Sequence, residues 1–201
     1  MSFNRRVLVV GALPNPIGGV TSFIYRLASE NYINKIADLQ SSNVKFIPKS
    51  FKGQVLYFKG VLEFIVSYLL SSRLKKDVTD VHFNFSTTRS LLIFGLIPFK
   101  GNRTFHLTLH HGILKSHFPL FFEKVLLSRV DVIYSLSNEQ FGFYKQFGKC
   151  VEEKVIPSSS YVPLAPLDNS DYSLSKVDEF LTGEKLVICS GYCTKLYNHD
   201  L

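Results

Sequence analysis

Two adjacent glycines, Gly18 and Gly19, stand where an apolar run gives way to an amphipathic one within VLVVGALPNPIGGVTSFIYRLA, residues 7–28. Glycine lets a ligand come close to the backbone, and the N–H groups at the start of a helix favour an anion. Val20 belongs to the same turn, and Thr21 adds a hydroxyl group. These residues predict a phosphate-binding turn, with a plain tight turn capped by glycine as the alternative.

The spacing of the glycines separates this turn from two common nucleotide motifs. From Gly11 the pattern is G-x6-G-G, which differs from the dinucleotide pattern G-x-G-x-x-G and lacks the G-K-[ST] of a P-loop. Asp38 lies at about the distance expected of a ribose-binding acid, but no clear strand precedes it. A nicotinamide cofactor and an NTPase are therefore disfavoured.

Further polar residues occur at or near the ends of later apolar runs. They are His82, Asn84, His110, His111, Gly112 and Ser137. Ligands in an open α/β sheet bind at the carboxyl ends of the strands, so we expect these residues to line one cleft. We expect His111, beside Gly112, to be the catalytic residue. For each of the two adjacent histidines, a packed or solvated side chain is the alternative.

Other chemistries find little support in the residue pattern. No carboxylate or cysteine lies close to the paired histidines in sequence, and no G-x-S-x-G nucleophile elbow occurs. The three cysteines, Cys150, Cys189 and Cys193, fit neither a disulfide framework nor a zinc site. We expect free thiols, as in a reducing cytosol, and no metal.

Alternating strand and helix patterns supply the scaffold for these residues. We predict strands at 7–10, 44–48, 80–86, 104–112, 131–137 and 153–159. We predict helices at 20–28, 54–74, 87–99, 118–126 and from Ser137 to about 147, where Ser137 and Gln140 form an S-x-x-Q capping box. This order predicts an α/β fold with a doubly wound, mostly parallel, Rossmann-like sheet in residues 1–165. Residues 166–201 are expected to hold a linker and the start of a second domain.

Charge and hydropathy indicate an anionic partner. The 201 residues carry a net charge of +7, from 23 basic and 16 acidic side chains, but no Lys/Arg block of the kind that follows a nucleic acid. The apolar stretches 54–74 and 113–130 include basic residues, which suits a peripheral contact with an anionic membrane; ordinary core helices are the alternative. We expect a cytoplasmic protein, in peripheral contact with the inner face of the cell membrane.

An ordered set of segments resembles a known family. The segments are PNPIGGVTSFIYRLA, DVHFNFS, LTLHHGILK, SRVDVIYSLSNEQFGFYKQFG and KVIPSSSYVP. Over about residues 5–165 they resemble the N-terminal, acceptor-binding half of a GT-B glycosyltransferase of the GT4-like retaining group. The resemblance implies that the glycine-rich turn contacts the donor diphosphate and that His111 lies near the transferred sugar. It implies no cofactor.

The resemblance also implies an activity. A hexosyltransferase of this kind moves a sugar from a nucleotide-diphosphate donor to a glycan or lipid-linked acceptor, here in surface polysaccharide biosynthesis. The donor-binding domain and its E-x7-E motif are expected to be absent from this chain, which is then inactive alone. One alternative is a non-catalytic module that docks an acceptor or a membrane and needs a partner chain. Another is a different α/β enzyme that uses a nucleotide or phosphate.

Overall fold

Seven parallel strands form one sheet in the computed structural model, which describes residues 6–14, 18–40, 45–98 and 100–158. They are β1 (Val7–Gly11), β2 (Lys35–Asp38), β3 (Gln54–Tyr57), β4 (Asp80–Phe85), β5 (Thr104–Leu109), β6 (Val132–Ser135) and β7 (Val155–Pro157). Their order is β3-β2-β1-β4-β5-β6-β7. The chain therefore winds from β1 to one edge and then from β4 to the other. This is the predicted doubly wound, Rossmann-like α/β fold.

Helices connect most of these strands. They are α1 (Gly19–Ser29), α2 (Val61–Leu70), α3 (Ser72–Lys75), α4 (Leu92–Leu96), α5 (Leu120–Ser128), α6 (Asn138–Lys145) and α7 (Lys149–Glu152). A 3₁₀ turn, Thr88–Leu91, leads into α4. Among the helices in the described ranges, none has both the length and the hydropathy needed to cross a bilayer.

The second strand was predicted in the wrong place. Strand β2 is Lys35–Asp38, whereas residues 45–48 of the predicted strand 44–48 are not in a strand. Instead, the Lys45 ammonium lies 3.4 Å from the buried Asp38 carboxylate. Asp38 is the last residue of β2, although no strand was predicted before it. Its Oδ1 accepts a hydrogen bond from the Leu13 N–H at 3.3 Å. That carboxylate fixes the loop after β1.

The predicted long helix over 54–74 is also wrong. Residues Gln54–Tyr57 form the edge strand β3, and α2 begins only after Gly60, whose φ is +131°. A positive φ favours glycine and interrupts a continuous helix.

Several predicted elements are shorter in the structure. The helix expected at 87–99 is the 3₁₀ turn followed by the five-residue α4. Strand β5 ends at Leu109, so the two histidines follow the strand and lie in a loop. The predicted linker and second-domain start at 166–201 lie outside the described residues and stay a prediction.

The two faces of the sheet carry separate hydrophobic cores. Alternate residues of β1 divide between them: Val9 packs with Ile24 and Ala28 of α1, and Leu8 and Val10 face the other helices. In the larger core Phe83 contacts Phe94 and Phe105 edge to face. Helices therefore cover both faces, as a doubly wound sheet requires.

Candidate functional site

An open hollow of about 390 Å³ lies at the carboxyl edge of the sheet, where α1, the loop after β5 and the start of α6 meet. Its lining residues are Gly19, Ser22, Phe23, Arg26, His110, His111, Gly112, Leu136, Ser137 and Gln140. Five residues expected in the cleft from the sequence therefore do line it: Gly19, His110, His111, Gly112 and Ser137. They come from three separate loops and helix ends.

One face of α1 forms a wall of the hollow. Gly19, Ser22, Phe23 and Arg26 follow the spacing i, i+3, i+4 and i+7, which places them on one side of a helix. Arg26 was not anticipated as a site residue, although this spacing from Gly19 would have indicated it. The core-facing side of the same helix includes Ile24.

The first turn of α1 is arranged by Gly18 and Thr21. The Gly18 N–H donates to Thr21 Oγ1 at 2.8 Å, and that hydroxyl donates back to the Gly18 carbonyl at 3.0 Å. Thr21 is buried and Val20 packs against the smaller core. Gly18, Val20 and Thr21 do not line the hollow, although all three were predicted to bind a ligand. They shape the turn that does.

Gly19 differs from the packing glycine Gly11. A Cβ at Gly11 would lie 2.5 Å from Ile24 Cδ1, so a close side chain excludes any larger residue there. A Cβ at Gly19 would meet no atom within 4 Å. The space in front of Gly19 is therefore open, next to backbone N–H groups that have no carbonyl partner within a helix. This arrangement suits an anionic ligand.

His111 is exposed at the mouth of the hollow. Its Nδ1 lies 2.7 Å from the Ile113 carbonyl oxygen and 3.3 Å from the Ile113 N. The shorter contact favours the tautomer in which Nδ1–H donates to the carbonyl. Nε2 is then the acceptor nitrogen, available to a ligand hydroxyl.

His110 is held by a chain of hydrogen bonds beneath the hollow. Asn84 donates through Nδ2 to the His82 carbonyl at 3.2 Å, so its Oδ1 accepts from His110 Nε2–H at 3.0 Å. The Phe23 ring packs 4.7 Å from the His110 ring. His82 and Asn84, predicted to bind a ligand, do not line the hollow; they support His110 from below.

Burial keeps two of these imidazoles neutral. It lowers the pKa of His110 to about 4 and, together with the neighbouring His106 and His110, that of His82 to about 3. His82 Nε2 lies 2.8 Å from the Thr108 hydroxyl. A neutral His110 acts as a hydrogen-bonding group at neutral pH rather than as a cation.

A second polar group lies on the same face of β4 and β5. Asp80 Oδ1 is 2.9 Å from His106 Nε2, and His106 Nδ1 is 3.2 Å from the Tyr134 hydroxyl. None of these three residues was expected to be functional. Alternation along β4, β5 and β6 places them on the same face as His82, opposite the apolar residues that fill the larger core.

Gln140 ties the loop after β5 to α6. Its buried amide donates to the carbonyls of Leu109 at 2.9 Å and His111 at 2.7 Å, and its Oε1 accepts the Leu136 N–H at 2.8 Å. Ser137 caps α6 by accepting the Gln140 N–H, as predicted. The reciprocal half of the predicted capping box is absent here, because the Gln140 side chain reaches past Ser137.

The charge of the hollow suits a negative group. Among the described residues that line it none is acidic, and Arg26 supplies a guanidinium. A second hollow of about 560 Å³ adjoins it along the ends of β6 and β7 and shares Leu136 and Ser137. Ser158, which follows β7, also lines this second hollow. Across the described part of the chain, no three His, Cys, Asp or Glu side chains converge to hold a metal.

Comparison with known proteins shows a similarity in fold alone. No protein-family model matches the sequence, and no curated protein matches it. Among solved structures the chain is similar to Anabaena Alr3699/HepE in complex with UDP, with a TM-score of 0.55 and 13% identity. The match covers 88% of this chain and 50% of that one, so this chain spans about half the length of the Anabaena protein.

Proposed function

We propose that this chain is part of a glycosyltransferase with a GT-B-like fold, and that it forms the N-terminal, acceptor-binding half. The observation that carries the proposal is the hollow itself, which the open glycine at the start of α1 lines together with Arg26 and two histidines. The similarity in fold to a protein in complex with UDP supports a nucleotide-diphosphate sugar as the donor.

Four residues of the hollow, Gly19, Arg26, His110 and His111, have a role in this proposal. The backbone N–H groups near Gly19 and the Arg26 guanidinium bind the donor diphosphate. His111 accepts a hydrogen bond from a hydroxyl of the transferred sugar through Nε2, and neutral His110 fixes the loop that carries His111. The adjoining hollow along β6 and β7 receives the acceptor. The activity is that of a hexosyltransferase in surface polysaccharide biosynthesis, with retention at the anomeric carbon.

The reaction breaks the bond between the anomeric carbon and the β-phosphate oxygen. The acceptor hydroxyl oxygen forms the new bond to the same face of the sugar, and its proton passes to the departing phosphate. Negative charge therefore grows on the phosphate in the transition state. Donors already placed beside Gly19 stabilise that charge without reorganisation.

Calorimetric titration of the full chain with uridine, UMP, UDP and UDP-glucose tests this role. We expect the two diphosphates to bind more tightly than UMP or uridine, because the contacts are made to the diphosphate. Gly19→Val places a branched side chain in the open space and should weaken UDP binding on the order of tenfold.

Gly142→Val is the matched control for this variant. Gly142 also lies in a helix and a Cβ there would meet no atom within 4 Å, but it does not line the hollow. It should bind UDP like the unmodified chain. Equal binding of uridine and UDP, or undiminished UDP binding by Gly19→Val, would contradict the proposed diphosphate site.

A further inference from the structure

Helix α2 is apolar on both its inner and its outer side. Phe64, Ile65 and Tyr68 are buried in the larger core, as the inner side of a surface helix should be. Its outer side is expected to be polar in a helix that faces water. It instead exposes Leu62 and Leu70, with exposed fractions of 73% and 82%. Val66 and Leu69 are exposed beside them.

Two neighbouring helices continue this surface. Helix α4 packs between α2 and α5, and the inner residues of all three belong to the same core. Their outer sides therefore face the same way. The exposed apolar side chains on α4 and α5 are Leu92, Leu96, Leu120, Phe121, Phe122 and Val125. We call the exposed apolar residues of α2, α4 and α5 the apolar helix face. Apolar surface repeated over three adjacent helices marks an interaction site.

The charges around the apolar helix face are mainly positive. Lys59, Arg89, Lys115 and Lys124 are exposed on or beside these helices. Of the two acids in α2, α4 and α5, Glu123 is buried and Glu63 is exposed. Glu63 accepts the Lys59 N–H at the start of α2. Apolar side chains flanked by basic ones match a surface that is apolar inside and negative outside, which is the surface of an anionic bilayer.

We propose that the apolar helix face docks the protein on an anionic lipid bilayer. Leu62, Leu70 and Phe121 enter the boundary between headgroups and acyl chains, and the four basic side chains contact lipid phosphates. A second copy is a poorer occupant, because a two-fold interface would bring these like charges together in a chain of net charge +7.

The position of the face suits a membrane-borne substrate. Helices that link parallel strands begin at the carboxyl edge of the sheet, so the first turns of α2 and α5 lie at the edge that holds the candidate site. Ile113, 66% exposed, follows His111 and Gly112 at the same edge. A chain docked in this way holds the site close to the lipid surface.

Co-sedimentation of the full chain with vesicles tests the proposal. Phosphatidylcholine vesicles are compared with vesicles in which about a third of the lipid is phosphatidylglycerol, at low and high salt. We expect binding to the anionic vesicles, weakened by salt. The double variant Leu62→Gln, Phe121→Gln should reduce it on the order of tenfold or more.

The double variant Tyr32→Gln, Phe46→Gln is the control, because both side chains are more than half exposed but lie outside the three helices. It should bind like the unmodified chain. No binding to anionic vesicles, or equal and salt-insensitive binding to both lipids, would overturn the proposal. So would a dimer in solution that the Leu62 and Phe121 substitutions dissociate. Vesicle binding and UDP binding are separate measurements, so failure of either leaves the other interpretable.

Discussion

At the scale of single residues, the adjacent histidines His110 and His111 have opposite environments. His110 donates to Asn84 and packs against Phe23, and burial keeps it neutral. His111 is exposed, and its ring is hydrogen-bonded to the backbone carbonyl of Ile113. The first can position the loop, whereas the second can meet a ligand. This division is why we assign contact with the transferred sugar to His111.

The buried histidines should make stability depend on pH. In the folded protein the pKa of His110 is about 4 and that of His82 about 3, against 6.5 for an ordinary histidine. The unfolded chain therefore binds more protons below pH 6.5. The free energy of unfolding should be constant above about pH 7 and fall toward pH 4, by up to about 1.4 kcal/mol per pH unit for each histidine.

Urea unfolding at a series of pH values measures this slope. His110→Gln removes one of the two titrating groups and should reduce the slope by about one proton. Ser116→Ala, at an exposed residue of the following loop, is the control and should leave it unchanged. An unfolding free energy that stays constant from pH 7 to pH 4 would contradict the assigned environments of both histidines.

Some of the residues that line the hollow could be predicted from the sequence, whereas the position of others along their strands could not. Polar residues after apolar strands reach the carboxyl edge of any parallel sheet, which brought Gly19, His111 and Ser137 together. How far a residue lies from the carboxyl end of its strand is harder to predict from the sequence. His82 and Asn84 lie within β4, below the hollow, because the strand continues past them to Phe85.

At the scale of elements, the loop after β5 depends on its contact with α6. The buried Gln140 side chain donates to two carbonyls, that of Leu109 at the end of β5 and that of His111 in the loop after it. Because α6 is anchored at the same time through Leu136, a single amide fixes the distance between two walls of the hollow. The geometry of the candidate site therefore rests on this side chain.

Replacing this amide should weaken both the fold and the site. Gln140→Glu removes the two donors and places carboxylate oxygen against carbonyl oxygen, which should cost about 2–4 kcal/mol of unfolding free energy. Gln146→Glu, at an exposed position after α6, should cost little. Urea denaturation compares the two. If Gln140→Glu were as stable as Gln146→Glu, the amide would not hold the loop.

The elements that were mispredicted share a physical cause. Residues 54–74 are apolar enough for one buried helix, but a three-residue break, 58–60, with a positive φ at Gly60, separates β3 from α2. Strand β2 is four residues long and includes Lys35, whose ammonium donates to the Arg73 and Lys76 carbonyls. Pairing with β1 forms this strand, so no local pattern marks it.

At the scale of the whole molecule, the alternation of strands and helices was sufficient to predict a doubly wound, mostly parallel sheet. Five of the seven strands, β1 and β4 to β7, coincide with predicted strands, and right-handed crossovers leave few ways to arrange them. The function is harder to obtain at this scale, since one fold serves many chemistries. The proposed function therefore rests on the residues that line the hollow at the carboxyl edge of the sheet.

The most direct test of the diphosphate site is an NMR titration of the ¹⁵N-labelled full chain with UDP. We expect UDP to shift the amides of Gly19 and Val20 and of His111 and Gly112, and uridine to shift them less. In Gly19→Val the shifts of His111 and Gly112 should be smaller at the same UDP concentration. Unchanged spectra would contradict the diphosphate site. So would shifts confined to a separate hollow, which Lys100 and Arg129 line near the amino ends of β5 and β6.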